Sequence, residues 1–220
     1  MQESIFDICQ NTATADTLLV MLPCAYAKPK DFIEHGFVAA ARAHRILVDI
    51  LMVELPILQY TNGQAADYLK NNIIQPAHEQ GYSRVWMIGI SLGGYGAVLY
   101  SQKYGKQIAG IFLIAPFLGN RSMIAEIKKM GRATWQAMYQ RGIDTDKDLW
   151  FWMHNYNNSQ IQQSPLYLAY GLQDKFSSSH QLLGSILSPE YVYTMEGGHD
   201  WPTWLRLWEA FLERKLFPQF

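Results

Sequence analysis

Residues 86–96 read WMIGISLGGYG, from Trp86 to Gly96. An apolar run stops there on one serine, Ser91, hemmed in by glycines. The run 84–90 has the length and content of a buried strand, and the small residues over 92–104 predict a helix behind it. Gly89-Ile90-Ser91-Leu92-Gly93 fits the pattern G-x-S-x-G, which needs that strand before it and that helix after it. A sharp strand-to-helix turn strains the serine backbone and requires small flanking residues, here Gly89, Gly93 and Gly94. Such a turn lifts the hydroxyl beyond the sheet, above a helix N-terminus that favours developing negative charge. A serine at this place can also be a plain helix cap. The rest of the chain has to separate a nucleophile from a cap.

Outward from this turn, apolar runs alternate with helical patterns. Strands are expected over 17–22, 45–53, 84–90, 107–115, 165–170 and 190–195. Helices are expected over 30–43, 64–80, 92–104 and 177–187, with a last one from about 202 to 215. Asp31 is a candidate cap for the first, Pro76 should kink or interrupt the second, and Asn62-Gly63 marks a turn. Trp204, Leu207, Trp208 and Phe211 share one face of the last. Continuously apolar strands separated by helices predict an α/β fold: a mostly parallel central sheet with helices on both faces. In such sheets the chemistry collects beyond the carboxyl ends of the strands. Residues 118–164 break the alternation and predict a helical, lid-like insertion carrying Trp150, Phe151, Trp152 and Tyr156, within one domain over 1–220.

A serine hydroxyl needs a base, and the base needs an orienting carboxylate. Of six histidines, His199 alone lies in a glycine turn between the last strand and the last helix, in MEGGHDW. His180, in a Ser-rich helix start, is the second candidate. Chain order Ser, acid, His puts the carboxylate after the fifth of these strands, at Asp174 in YGLQDKF. Asp200, adjacent to His199, reads as the cap of the last helix. Asp144, Asp146 and Asp148 read as solvated charge in the insertion. Two backbone N–H groups should bind the oxyanion. Leu92, following the nucleophile, supplies one; Ala25, in the loop after the first strand, is the choice for the other, with Cys24 and Tyr26 as its neighbouring alternatives. Cys24 itself reads as a small apolar filler rather than a thiol nucleophile.

Composition bounds the remaining classes. Apolar residues make up 49% of 220 and charged residues 17%, which is globular and not disordered. A net charge of −1 argues against a nucleic-acid partner. Two cysteines, Cys9 and Cys24, are too few for a disulfide framework and are expected as thiols. The N-terminal MQESIFDICQ lacks a basic start, and no apolar run approaches about 20 residues, so no signal peptide or membrane span is expected and a cytoplasmic location is the default.

The segments LPCAY, GISLGG, LIAPFLG, YGLQDKF and GGHDWPTW, taken in order, resemble the α/β-hydrolase superfamily, and GGHDWPTW resembles the histidine loop of its small serine esterases. The resemblance spans essentially the whole chain. It implies a Ser91–His199–Asp174 triad, no cofactor or metal, and hydrolysis of a small-molecule ester or thioester through an acyl-enzyme. An acyltransferase, an amidase, a lyase or an inactive binding protein would share the same fold. The chain departs from the fullest pattern at Pro23-Cys24-Ala25, where His-Gly or Gly-Gly is usual. It also begins close to its first core strand, so the leading antiparallel strands should be short or missing.

Overall fold

A computed structural model of the chain describes residues 4–10, 14–142, 144–156 and 163–220. Seven strands form one sheet: β1 (Ile5–Asp7), β2 (Thr17–Leu22), β3 (Asp49–Met52), β4 (Arg84–Ile90), β5 (Gly110–Ile114), β6 (Leu166–Gly171) and β7 (Val192–Met195). Their order is β1-β3-β2-β4-β5-β6-β7. β1 runs antiparallel to β3, with Phe6 opposite Leu51, and the other neighbours pair in parallel. The leading antiparallel structure is thus a single three-residue strand.

Alternation along the strands divides the core in two. Leu18, Val20, Val85, Met87, Ile111, Leu113 and Leu168 face one side, under α4 (Ala65–Leu69), α6 (Leu92–Tyr104) and α10 (Ser177–Gly184). Leu19, Met21, Trp86, Ile88, Phe112, Ile114 and Ala169 face the other, under α1 (Pro29–Glu34), α2 (Phe37–Ala43) and α11 (Trp201–Leu212). The aromatic face of α11 closes that second layer, and Trp208 Nε1 donates to the Phe37 carbonyl at 3.0 Å. Burying each such ring contributes about 2–3 kcal/mol.

Several elements differ from expectation. The helix expected over 30–43 is two helices, because Gly36 turns left-handed at φ 84° between them. The strand expected over 45–53 shortens at its start: Leu47 N–H donates instead to Pro218 of the C-terminal tail at 2.7 Å. Of the two outcomes expected at Pro76, the helix over 64–80 is distorted rather than interrupted: it continues with one widened π turn, Lys70–Ile74, between α4 and α5 (Gln75–Glu79). The widening accommodates a proline ring that would clash with the carbonyl one regular turn back. A short helix α3 (Ile57–Thr61) precedes the Asn62-Gly63 turn.

The interval 118–164, of which 143 and 157–162 lie outside the described residues, carries α7 (Arg121–Met130), α8 (Arg132–Met138) and α9 (Thr145–His154). Ile124, Ile127, Trp135, Leu149, Trp150 and Met153 join the first core layer.

Candidate active site

Register brings the carboxyl ends of the strands to one edge: Leu22 pairs with Gly89, Ile90 with Ile114, and Gly171 with Met195. Ser91 leaves β4 at this edge with φ 51° and ψ −111°, a conformation costly for a non-glycine residue. Hydrogen bonds hold it there. Its N–H donates to Ile114 at 3.0 Å, and its carbonyl accepts from Tyr95 at 3.1 Å and Phe117 at 2.9 Å. The tightness of the turn explains two glycines. A Cβ on Gly89 would stand 2.6 Å from the Gly93 carbonyl oxygen. One on Gly93 would overlap the Leu22 carbonyl oxygen, because the start of α6 presses against the end of β2.

The structure brings Ser91, His199 and Asp174 together. His199 Nε2 lies 3.0 Å from Ser91 Oγ, and His199 Nδ1 lies 2.7 Å from Asp174 Oδ2. The network assigns Nδ1–H as donor to the carboxylate, leaving Nε2 to accept from the serine hydroxyl. Asp174 is 3% exposed, and its other oxygen accepts from Phe176 N–H at 2.7 Å. Burial raises its pKa, but the hydrogen bonds from His199 and Phe176 outweigh burial and hold the carboxyl below its ordinary value. Phe176 and Trp204 meet the imidazole edge-on at 5.1 and 4.9 Å between ring centres.

Gln173 is a residue that sequence reasoning missed. Its backbone N–H donates to the Gly197 carbonyl at 3.0 Å, and its side-chain oxygen accepts from Gly197 N–H at 2.6 Å. Its amide also donates to Glu196. The residue before the acid therefore clamps the loop carrying the histidine. A glutamine next to an acid carries no pattern in one sequence; only the fold shows its partner.

His180 and Cys24 take other roles. His180 is fully buried, its Nε2 within 2.9 Å of the Pro116 carbonyl, and burial lowers its pKa to about 4. Cys24 is half-buried, and burial pushes its thiol up to about 11, which leaves little thiolate at neutral pH. Cys9 and Cys24 are both free thiols. Asp200 caps α11, accepting from Thr203 N–H at 2.9 Å. The three insertion carboxylates are not simply solvated. Asp144 caps α9, Asp146 accepts from the Tyr95 hydroxyl at 2.6 Å, and Asp148 accepts from Gly142 N–H at 2.9 Å. Trp150 is fully buried and donates to the Leu118 carbonyl at 2.7 Å, so it anchors the insertion rather than lining a cleft.

Leu92 opens α6, so its N–H has no acceptor within the helix. Leu92 and Ala25 line one cleft of about 320 Å³ beside the turn. Two larger cavities, of about 540 and 470 Å³, are bounded by the insertion and touch neither residue. Among the described residues, no cluster of three or more His, Cys, Asp or Glu is arranged to hold a metal ion. No described helix is long and apolar enough to cross a membrane.

Comparison with known proteins shows the family and the fold. Residues 65–181 match the Hydrolase_4 family model, described as serine aminopeptidase, S33. An acetyl esterase from Caldicellulosiruptor saccharolyticus is 27% identical over 128 residues, covering 53% of this chain. That match spans about half, 48%, of the length of the curated relative. Among solved structures, an S-formylglutathione hydrolase from Staphylococcus aureus superposes with a TM-score of 0.68 at 14% identity, over 93% of this chain and 85% of that one. A monoacylglycerol lipase from Paleococcus ferrophilus gives 0.58 at 15%, over 96% and 98%. These structural likenesses show the α/β-hydrolase fold.

Proposed function

The chain belongs to the Hydrolase_4 family of α/β-fold serine hydrolases, and from that premise we propose that it cleaves carboxylic esters or thioesters through an acyl-enzyme on Ser91. The observation that carries the reading is the continuous relay from Ser91 Oγ to His199 at 3.0 Å and from His199 to buried Asp174 at 2.7 Å. Ser91 Oγ attacks the carbonyl carbon while His199 Nε2 takes its proton. The oxyanion is met by the N–H groups of Leu92 and Ala25. Collapse expels the alcohol or thiol, which receives the proton from His199. Water, deprotonated by the same nitrogen, then attacks the acyl carbon and frees Ser91 with the acid as product. Asp174 holds the imidazole in the required tautomer and stabilises the imidazolium between these transfers.

A fluorophosphonate probe tests the assignment. The native chain should be labelled at Ser91 and should hydrolyse p-nitrophenyl esters. Ser91→Ala should lose the label and several orders of magnitude of kcat/KM. An unlabelled native chain, or undiminished labelling of the variant, would refute the reading. The family description names a peptidase, and the same relay can attack an amide. Turnover of a matched p-nitroanilide decides between these: an esterase leaves it uncut while hydrolysing the ester, whereas a peptidase cleaves both.

A further inference from the structure

The cleft of about 320 Å³ that reaches the Ser91 turn at its neighbour Leu92 is built from one side of the site only. Its walls are the loop 23–28 after β2, the stretch 54–60 that follows β3 and enters α3, and Leu92. No wall comes from the loops that carry Asp174 and His199. That asymmetry bears on what can occupy it. A leaving group must lie within hydrogen-bond reach of His199 Nε2 to be protonated. The oxyanion must turn toward Leu92 and Ala25. The remaining substituent of the carbonyl, the acyl chain, is the one free to point away from the histidine.

We propose that this cleft is the acyl site, and that it selects uncharged acyl groups of medium length. The proposal rests on the esterase reading above. Leu55, Pro56, Ile57, Ala27 and Leu92 supply apolar wall. The two opposite charges at its edge, Lys28 and Glu54, pair with each other at 2.6 Å, so neither is left to bind a charged acyl group. Tyr60 adds a ring, and its hydroxyl has no hydrogen-bond partner among the described residues. The mouth is open: Ile57 is 41% and Tyr26 89% exposed. At about 30 Å³ for a water-sized group, the volume holds on the order of ten non-hydrogen atoms, and a partly open cleft suits chains of about six to eight carbons.

The test is a series of p-nitrophenyl esters from acetate to dodecanoate. The native chain should gain up to about fourfold in kcat/KM per added methylene, to about eight carbons, and then lose it. Ala27→Phe and Ile57→Trp narrow the cleft from two walls, and each should lower the octanoate-to-acetate ratio of kcat/KM by about tenfold or more. Met138→Trp, in the cavity of about 540 Å³ bounded by the insertion, should leave that ratio alone. Preference between a phenolate and a thiolate leaving group, with the acyl group held constant, should be unmoved in the cleft variants. A flat native profile, an unmoved ratio in both cleft variants, or a shift caused by Met138→Trp overturns the acyl assignment. Fluorophosphonate labelling of every variant separates the two failures. Labelled variants with an unmoved ratio sink the acyl site alone, whereas a native chain neither labelled nor active sinks the esterase reading and the acyl site with it.

Discussion

Asp174 and Asp200 both approach His199, one through space and the other along the chain, and they should fail differently. Asp174 accepts from His199 Nδ1 with one carboxylate oxygen and from Phe176 N–H with the other. Asp174→Asn should lower kcat/KM by about three to four orders of magnitude with a small change in melting temperature. Asp200→Ala removes the cap on α11 and should cost about 1 kcal/mol of stability while leaving most of the activity. Parallel activity and thermal-melting measurements on the two variants decide the matter, and a reversal of the pattern would refute both roles. His154 offers a second residue-level test. It is 6% exposed, lies between Trp135 and Trp150, and neither ring nitrogen has a hydrogen-bond partner. Burial, with Arg132 nearby, lowers its pKa to about 4, as burial does for His180. Both folded-state values lie below the ordinary 6.5. Stability is therefore fully present above 6.5 and drains as pH falls toward 4, because the unfolded chain binds protons that the folded chain refuses. The loss should approach on the order of 3 kcal/mol per histidine. His154→Phe should raise the melting temperature at neutral pH and flatten the acid limb; an unchanged limb would show that His154 titrates freely.

Elements declared themselves in the sequence where the pattern is local. The strands from β2 to β7 are short apolar runs, and the turn at Ser91 is crowded with glycines because no other residue fits there. Pairings between distant elements left no such trace. Tyr95 on α6 ties to Asp146 on α9, and Gln173 ties the acid loop to the histidine loop, through partners that no spacing rule selects. Gly36 and the widened turn ahead of Pro76 are intermediate cases: the residues are visible, but whether they end, split or only distort a helix depends on what the helix packs against. On the proposed mechanism, the Ser91 turn is the element on which activity most depends. In Gly93→Ala the added methyl would have to push α6 away from Leu22, across the join that carries Leu92. Loss of a few kcal/mol and of nearly all turnover is expected, visible as a lower denaturation midpoint and absent fluorophosphonate labelling. A native-like, active Gly93→Ala variant would mean that the turn is looser than described. We read the insertion as a fixed cap rather than a moving lid, because Trp150, Trp135 and Met153 share the core of the sheet. Trp150→Phe, which strands the Leu118 carbonyl, should cost about 1–3 kcal/mol in a chemical denaturation curve, whereas a freely moving lid would show no loss.

At the scale of the whole molecule, the site lies where the sheet changes direction. From β2 the chain passes to α1 and α2 on one face, and from β4 it passes to α6 on the other. The two strands stay paired to Leu22 and Gly89, but the connections that leave them part to opposite faces of the sheet, which opens a crevice at this edge. This much follows from chain order and strand direction, which is why the loops of Asp174 and His199, far apart in sequence, could be expected on one edge, where their side chains meet. What the order of motifs does not carry is the closure of the opposite end of the sheet. There the C-terminal tail returns: Phe220 N–H donates to Arg45, and an isolated bridge joins Gln219 to Ile46. Phe217 is 4% exposed and packs edge-on to Trp86 at 5.2 Å, beside Phe211. Trp86 stands near the start of β4, the strand that Ser91 follows, so the same strand couples the tail to the core at one end and leads into the Ser91 turn at the other. Phe217→Ala should therefore destabilise by about 3–5 kcal/mol, read as a shift in the urea midpoint, because a buried ring is replaced by a cavity that aromatic neighbours cannot fill. The folded fraction of that variant should retain native kcat/KM, since no contact of the relay reaches this end of the sheet. A variant with native stability, or one whose folded fraction loses turnover, would show that the tail acts on the site and not only on the core.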